Sequence, residues 1–101
     1  MCAELAYKRR LRNTRRRITT TLEAQGYRVS TFDSGPFDLE ACRGRRAKKI
    51  RICFTYTTTD DILAVSREPV PDKCQREIWQ ISEDGRRIVV AKVRGAKDER
   101  D

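Results

Sequence analysis

The sequence contains no histidine, and this absence excludes catalysis by Ser–His or Cys–His pairs. It has neither a GxxxxGK motif nor a GxGxxG motif, so nothing favours a P-loop or a dinucleotide-binding fold. No apolar stretch is long enough to cross a bilayer, and there is no signal-peptide pattern. We therefore expect a cytoplasmic protein with no membrane partner.

Cysteine pairs with metal-binding spacing are also missing. Tetrahedral zinc needs about four ligands, and the four cysteines of this chain contain no CxxC pair. We therefore interpret them as buried or free thiols, with Cys53 in the core. The length of 101 residues fits one small domain, predicted over residues 1–94 and followed by a disordered polar tail over residues 95–101.

Positive charge dominates the sequence and is concentrated in two segments. Lysine and arginine total 23 against 15 acidic residues, which gives a formal net charge of +8. Residues 8–17 (KRRLRNTRRR) and 43–51 (RGRRAKKIR) are dense in basic residues and contain no acid. Such density suits a polyphosphate partner, because binding releases the counterions condensed on nucleic acid. A solubilising surface is the alternative interpretation of the same residues.

The spacing of apolar residues predicts a long first helix. Leu11, Ile18 and Leu22 repeat at helical spacing within residues 4–25, and Arg15 falls on the same stripe. Glycine tolerates a left-handed backbone, so the glycine at position 26 indicates where the helix ends.

Short alternating segments after this helix predict a sheet. We expect strands over residues 27–32, 37–42 and 49–57, a short helix over 58–66, and a hairpin over 76–93 that turns at Asp84-Gly85. The element order is αβββαββ, which is an α+β domain with one sheet and the long helix packed on it.

Alternation also assigns side chains to faces within two of these strands. Asp38 and Glu40 are two residues apart, so they are predicted on one side, opposite Phe37 and Leu39. In the third strand one face is predicted to carry Ile50, Ile52, Phe54 and Tyr56.

The order of these features resembles the PD-(D/E)XK nuclease superfamily, most closely the small archaeal Holliday junction resolvase-like proteins. The resemblance covers residues 7–66: an amphipathic helix ending in Gly26-Tyr27, a strand, a turn with Ser34, and a hairpin with Asp38 early in its first strand. It implies a restriction-endonuclease-like mixed sheet with the long N-terminal helix packed on it. A homodimer that spans a duplex is suggested by the same resemblance.

Most catalytic positions implied by the resemblance have changed residue class. The family's hairpin aspartate falls on Asp38, its Glu/Gln-x-Lys pair falls on Phe54 and Tyr56, and its helix glutamate falls on Arg15. Ser34 matches a small polar residue of the family's turn. Mg²⁺ needs oxygen ligands, usually one or two carboxylates, and a lysine would stabilise developing negative charge. We therefore interpret Asp38 as a vestigial catalytic residue within a site remnant, and we expect no cofactor.

Arg15 needs a partner if its stripe faces the core. An unpaired buried guanidinium is costly, so we expect Arg15 to pair with Asp38 or with Glu40 in place of a metal. Alternatively, Arg15 extends along the edge of the stripe to solvent.

The favoured function is DNA binding by a nuclease-like domain that does not cleave. Phosphates of duplex or branched DNA would be contacted by nine basic residues. These are Arg9, Arg10, Arg12, Arg16, Arg17, Arg43, Arg45, Arg46 and Lys48.

Two other functions stay open. The first is an active Mg²⁺-dependent endonuclease with migrated residues, namely Asp38 and Glu40 with Asp33 and with Lys48 or Lys49. The second is a protein-interaction module that acts on a nucleic-acid enzyme.

Overall fold

The structure, a computed structural model, describes residues 2–95, and side chains from residue 5 onward. The predicted element order is confirmed, and the chain is an α+β domain. Its elements are α1 (Cys2–Ala24), β1 (Arg28–Thr31), β2 (Leu39–Arg43), β3 (Arg46–Phe54), α2 (Thr59–Arg67), β4 (Cys74–Ile81) and β5 (Ile88–Val93).

The five strands form one mixed sheet in the order β1-β2-β3-β4-β5. Strands β3 and β4 are parallel, whereas the other three neighbouring pairs are antiparallel. Helix α2 supplies the crossover that a parallel pair requires. In the register, Ile52 lies opposite Trp79, and Trp79 lies opposite Val90, so these three side chains share a face.

Helix α1 packs on one side of the sheet, which we call the α1 face. Ile18 and Leu22 of the helix are buried there against sheet residues. These sheet residues are Leu39, Ala41, Ile50, Ile52, Trp79 and Ile81. The helical stripe is thus confirmed, and Trp79 is a core residue. Tyr7, four residues before Leu11 in the helix, is half exposed. Burial of each large aliphatic side chain contributes about 1.5–3 kcal/mol.

Helix α2 packs on the opposite side, the α2 face. Its Val65 is buried with Phe37, Cys53 and Ile78. The burial of Cys53 agrees with the prediction, but Phe37 was predicted on the face of Leu39 and Ala41, and this prediction was wrong. The reason is that β2 begins at Leu39, two residues later than predicted, so the alternation does not extend back to residue 37.

The C-terminal end of α1 is closed by backbone hydrogen bonds around Gly26. Gly26 has φ of +93°, a left-handed conformation that glycine adopts without strain. The N–H groups of Gly26 and Tyr27 donate to the carbonyls of Glu23 and Leu22, both at 3.0 Å. This is a Schellman arrangement, and it directs the chain into β1.

Strand β3 ends three residues earlier than predicted. It stops at Phe54, where Thr55 adopts a left-handed φ of 68°. Tyr56 is therefore outside the strand and 76% exposed, rather than on the face of Ile50, Ile52 and Phe54 as predicted.

The connection between the second and third predicted strands is shorter than expected. Arg43 belongs to β2 and residues 46–48 belong to β3, which leaves a tight turn at Gly44 and Arg45. Of the predicted tail over residues 95–101, Gly95 is buried beside the Arg76 guanidinium, and residues 96–101 lie outside the described residues.

Candidate functional site

Arg15 and Asp38 form an ion pair between α1 and the start of β2. Arg15 Nη2 donates to Asp38 Oδ1 at 2.9 Å, and the other carboxylate oxygen accepts the Ile52 N–H at 2.8 Å. Their side chains are 25% and 16% exposed. The expected pairing therefore goes to Asp38 rather than Glu40. Both carboxylate oxygens thus accept hydrogen bonds, and a cation bound here would have to share Asp38 with the Arg15 guanidinium.

Asp38 reaches this position because it precedes the regular part of β2. Its N–H donates to the Ile50 carbonyl at 2.7 Å, and its carboxylate then takes the Ile52 N–H beyond the end of the β2 ladder. The Asp38 carboxylate thus accepts a β3 backbone N–H at the position where the backbone of β2 no longer pairs with β3. This role of Asp38 is structural.

Of the other three remnant positions, Phe54 lies on the α1 face. Its ring meets the Tyr7 ring edge-on, with centroids 5.8 Å apart, and the Arg10 guanidinium carbon lies 4.2 Å from its centroid. Phe54 thus packs against α1 and has no oxygen to offer a metal.

Ser34 and Tyr56 are not part of the ion pair. Ser34 is exposed in the turn after β1, where it lines a small depression with Phe37 and Lys49 of the α2 face. Tyr56 is exposed after the end of β3. The structure thus brings Arg15 and Asp38 together and leaves Phe54 nearby as a packing residue. Tyr56 lines a shallow depression with Phe54 and Tyr7, and only Ser34 lies at a separate place.

The acids and lysines proposed for a migrated site are separated. Glu40 pairs opposite Lys49, whose Nζ lies 5.4 Å from the Phe32 ring on the α2 face. The prediction that Asp38 and Glu40 share a side was therefore wrong, because Asp38 contacts Arg15 on the α1 face. Within residues 2–95, no three Asp, Glu or Cys side chains come together as a metal-binding group.

A second arginine–aspartate pair, which the sequence did not predict, ties β3 to α2. Arg51 Nε and Nη2 both donate to Asp61 Oδ1, at 2.9 and 2.7 Å, and Arg51 Nη1 donates to the Pro36 carbonyl at 2.7 Å. Asp61 Oδ2 accepts the N–H and hydroxyl of Thr58, which completes the N-terminal capping box of α2.

This network changes the acidity of Asp61. Burial of Asp61 opposes its ionisation, but hydrogen bonds from Thr58 and Arg51 outweigh burial and lower its pKa from 3.8 to about 2. Burial also raises the pKa of the neighbouring Cys53 thiol above its usual 9.0. Cys53 is thus an inert core thiol rather than a nucleophile.

The basic residues of α1 divide into two groups. Arg10 donates to the carbonyls of Ser82 and Glu83 at 3.0 and 3.2 Å, and Arg17 donates to the Gly85 carbonyl at 2.6 Å. Both therefore hold α1 against the β4–β5 turn.

The second group faces solvent. Arg9, Arg12 and Arg16 are exposed, and in the described structure no hydrogen bond, ion pair or ring contact involves their guanidinium groups. Arg9 lines a shallow depression with Arg10, Arg17 and Gly85, whereas Arg12 and Arg16 do not line it. We call these three residues the outer face of α1.

The basic residues of the β2–β3 hairpin divide in the same way. Arg43 donates to the Gln25 carbonyl at 2.9 Å and lies over the Tyr27 ring, so it closes the end of α1. Lys48 Nζ lies 3.4 Å from Glu77 Oε1. Arg45 and Arg46 are exposed, and the described contacts include none from either side chain.

No family model matches the chain, and no curated protein matches its sequence. Among residues 2–95, neither helix combines the length and apolar character that a bilayer-spanning segment needs.

Proposed function

We propose that this protein is a nuclease-like domain that binds DNA through phosphate contacts and does not cleave it. The observation that carries the proposal is the outer face of α1, where three neighbouring guanidinium groups are exposed and have no partner among the described side chains, in a protein of net charge +8. The αβββαββ order and the mixed sheet with α1 packed on it agree with the nuclease-like resemblance.

The spacing of these arginines suits a phosphate backbone. Arg9 and Arg16 are seven residues apart in α1, which is about 10 Å along a helix that rises 1.5 Å per residue. This distance covers about three phosphates of one DNA strand, at 3.4 Å of axial rise each. Arginine is suited to this role because its planar guanidinium donates two parallel hydrogen bonds to phosphate oxygens.

Loss of cleavage is supported by the Arg15–Asp38 pair. A cationic group occupies the place where the resemblance puts a carboxylate, and it neutralises the remaining acid at 2.9 Å. A divalent cation at this point would meet the repulsion of Arg15 and would have one carboxylate at most.

Fluorescence anisotropy over a range of salt concentrations tests the proposal. We expect labelled duplex and four-way-junction DNA to bind at 50 mM salt and to weaken steeply by 200 mM. The slope of log K against log salt is negative, and its magnitude decreases by about 0.9 for each phosphate contact removed. The triple variant Arg9→Gln/Arg12→Gln/Arg16→Gln should therefore reduce the slope by about 2–3. A matched control with equal charge loss is Arg28→Gln/Arg67→Gln/Arg87→Gln, which should leave the slope within one unit.

The same assay separates the open alternatives. Incubation of the wild-type protein with DNA and Mg²⁺ or Mn²⁺ should give no cleavage, and cutting that disappears in Asp38→Ala would establish the endonuclease instead. Absence of binding to duplex, junction and single strand at 50 mM salt would contradict DNA binding and favour the protein-interaction module.

A further inference from the structure

A groove of about 680 Å³ lies on the α1 face, beyond the C-terminal end of α1. Helix α1 ends at Ala24, and no residue of α1 lines the groove in the described chain. Its walls come from the β2–β3 hairpin, from the turn before β4 and from β5. We call it the hairpin groove and define it by Arg45, Arg46, Lys48, Lys73, Glu77 and Lys92.

Positive charge from separate segments converges on this groove. Arg45 and Arg46 come from the hairpin, Lys73 from the turn before β4, and Lys92 from β5. All four are exposed, and the structure of residues 2–95 gives none of their side chains a hydrogen bond, an ion pair or a ring contact. The groove therefore holds four uncompensated cations around a concave volume, which concentrates a positive potential.

The acid in the groove does not cancel this charge. The Glu77 side chain is 4% exposed, and its Oε1 accepts the Trp79 Nε1–H at 2.9 Å and lies 3.4 Å from Lys48 Nζ. A buried carboxylate needs such partners. Glu77 thus lies beneath the groove with its charge neutralised by Lys48, and the four other cations face the open volume.

Lys73 is held at the edge of the groove by an unusual backbone. Its φ is 67°, a left-handed conformation that few non-glycine residues adopt. The turn is closed by a hydrogen bond from the Cys74 N–H to the Pro71 carbonyl at 3.1 Å. The turn fixes the backbone of Lys73 relative to β4, so only its side chain has to be ordered on binding.

The aromatic ring at the groove favours phosphate over base recognition. The Arg43 guanidinium carbon and Lys48 Nζ lie 4.7 and 4.9 Å from the Tyr27 ring centroid. The ring therefore already interacts with two cations and helps to hold them in place. Hydrogen-bond donors without acceptors, rather than a stacking platform, are what the groove offers a ligand.

We infer that the hairpin groove binds two or more linked phosphate groups, supplied by a single-stranded nucleic-acid segment or by a nucleoside triphosphate. A single phosphate would satisfy only part of four cations spread over three segments. The groove is separate from the outer face of α1, so this site goes beyond the proposed duplex binding and does not depend on it.

Tryptophan fluorescence gives a direct test, because Trp79 is the only tryptophan in the chain. Its ring centroid is 5.8 Å from Lys48 Nζ, and its Nε1 is bonded to Glu77 beneath the groove. We would titrate the protein with inorganic triphosphate, ATP and pentathymidylate at 50 mM salt, and repeat each titration by calorimetry. We expect a saturable fluorescence change that weakens as salt is raised.

Paired variants assign the signal to the groove. Lys73→Gln/Lys92→Gln should weaken binding about tenfold or more, since it removes two of the four cations. The control Arg67→Gln/Arg87→Gln, with the same charge loss away from the groove, should change binding less than twofold. Saturable binding of triphosphate or of pentathymidylate supports the site and identifies the phosphate source.

Two results would overturn the inference: no saturable binding of any of the three probes at 50 mM salt, or equal weakening by both paired variants. Failure of this site is distinguishable from failure of duplex binding. The outer-face triple variant should retain groove binding while losing duplex affinity, and Lys73→Gln/Lys92→Gln should keep its salt-dependent duplex binding.

Discussion

Arg51 and Asp61 on the α2 face form an ion pair much like that of Arg15 and Asp38 on the α1 face, with N–O distances of 2.7 and 2.9 Å. Exposure does not distinguish the two pairs, since the arginine side chains are 28% and 25% exposed and the aspartates 17% and 16%. The two pairs differ in how many guanidinium nitrogens of the arginine donate a hydrogen bond.

The Arg51 pair is complete and the Arg15 pair is not. All three guanidinium nitrogens of Arg51 donate to Asp61 or Pro36. Arg15 donates through Nη2 alone, and its Nε is buried with no partner in the described structure. An unsatisfied buried donor offsets part of what an ion pair contributes. The comparison indicates that Arg51 holds α2 against the sheet with all of its guanidinium nitrogens bonded. Arg15 lies in a site that provides an acceptor for Nη2 but none for the buried Nε.

The largest expected effect comes from breaking the complete pair. Asp61→Ala leaves Arg51 without its carboxylate and removes the capping box of α2, so we expect the free energy of unfolding to fall by about 3 kcal/mol. Asp60→Ala, in the same first turn but exposed, is the matched control and should cost about 0.5 kcal/mol. Urea denaturation measures both, and equal losses would show that Asp61 acts only as a first-turn acid.

Acid should remove the same stabilisation in the wild-type protein. The pKa of Asp61 is lowered from 3.8 to about 2 in the folded state, so the unfolded chain binds the proton more tightly. The contribution of Asp61 is then fully present above pH 4 and is lost as the pH falls from about 4 to about 2. The stability difference between wild type and Asp61→Asn should shrink over this window and stay constant between pH 5 and 8. A difference independent of pH down to 2 would contradict the lowered pKa.

This comparison also separates what the sequence could and could not predict. The Arg15–Asp38 pair was one of three predicted outcomes, because a buried arginine on an apolar stripe needs a carboxylate and the second strand offered Asp38 and Glu40. The sequence did not decide between these two acids and solvent. Arg51 and Asp61 were assigned to a basic cluster and to a helix start. Nothing local indicated their pairing, which depends on how α2 packs after β3.

Other errors have specific physical causes. Threonine rarely adopts positive φ, so no residue type indicated that the chain turns at Thr55, directly after β3, and leaves Tyr56 exposed. A short irregularity at the start of β2 places Phe37 and Leu39 on different faces, because strand alternation has a period of two. The parallel pairing of β3 with β4 is a tertiary outcome that period and propensity do not encode.

Breaking the incomplete pair should cost less, and unequally for its two members. Asp38→Ala leaves the Ile52 N–H and Arg15 without an acceptor, so we expect a loss of about 2 kcal/mol. Arg15→Met also removes the unsatisfied Nε and keeps the Ile52 bond, so about 1 kcal/mol or less is expected. The double variant should cost less than the sum of the two single losses. Equal single losses that add would show that the pair is not coupled.

The smallest effect should come from the outer face of α1, and here the comparison is with Arg10 on the same helix. Arg10 bonds to two carbonyls of the β4–β5 turn and covers the Phe54 ring, so Arg10→Gln should lower the free energy of unfolding by about 1 kcal/mol. Arg9, Arg12 and Arg16 make no such contacts in the described chain, and their combined replacement by glutamine should stay within about 0.5 kcal/mol of wild type. Thermal and urea unfolding of the two variants measures the contrast. A stability loss in the triple variant as large as that of Arg10→Gln would mean that these guanidinium groups hold the fold together, and a loss of DNA affinity in that variant would then no longer point to phosphate contacts.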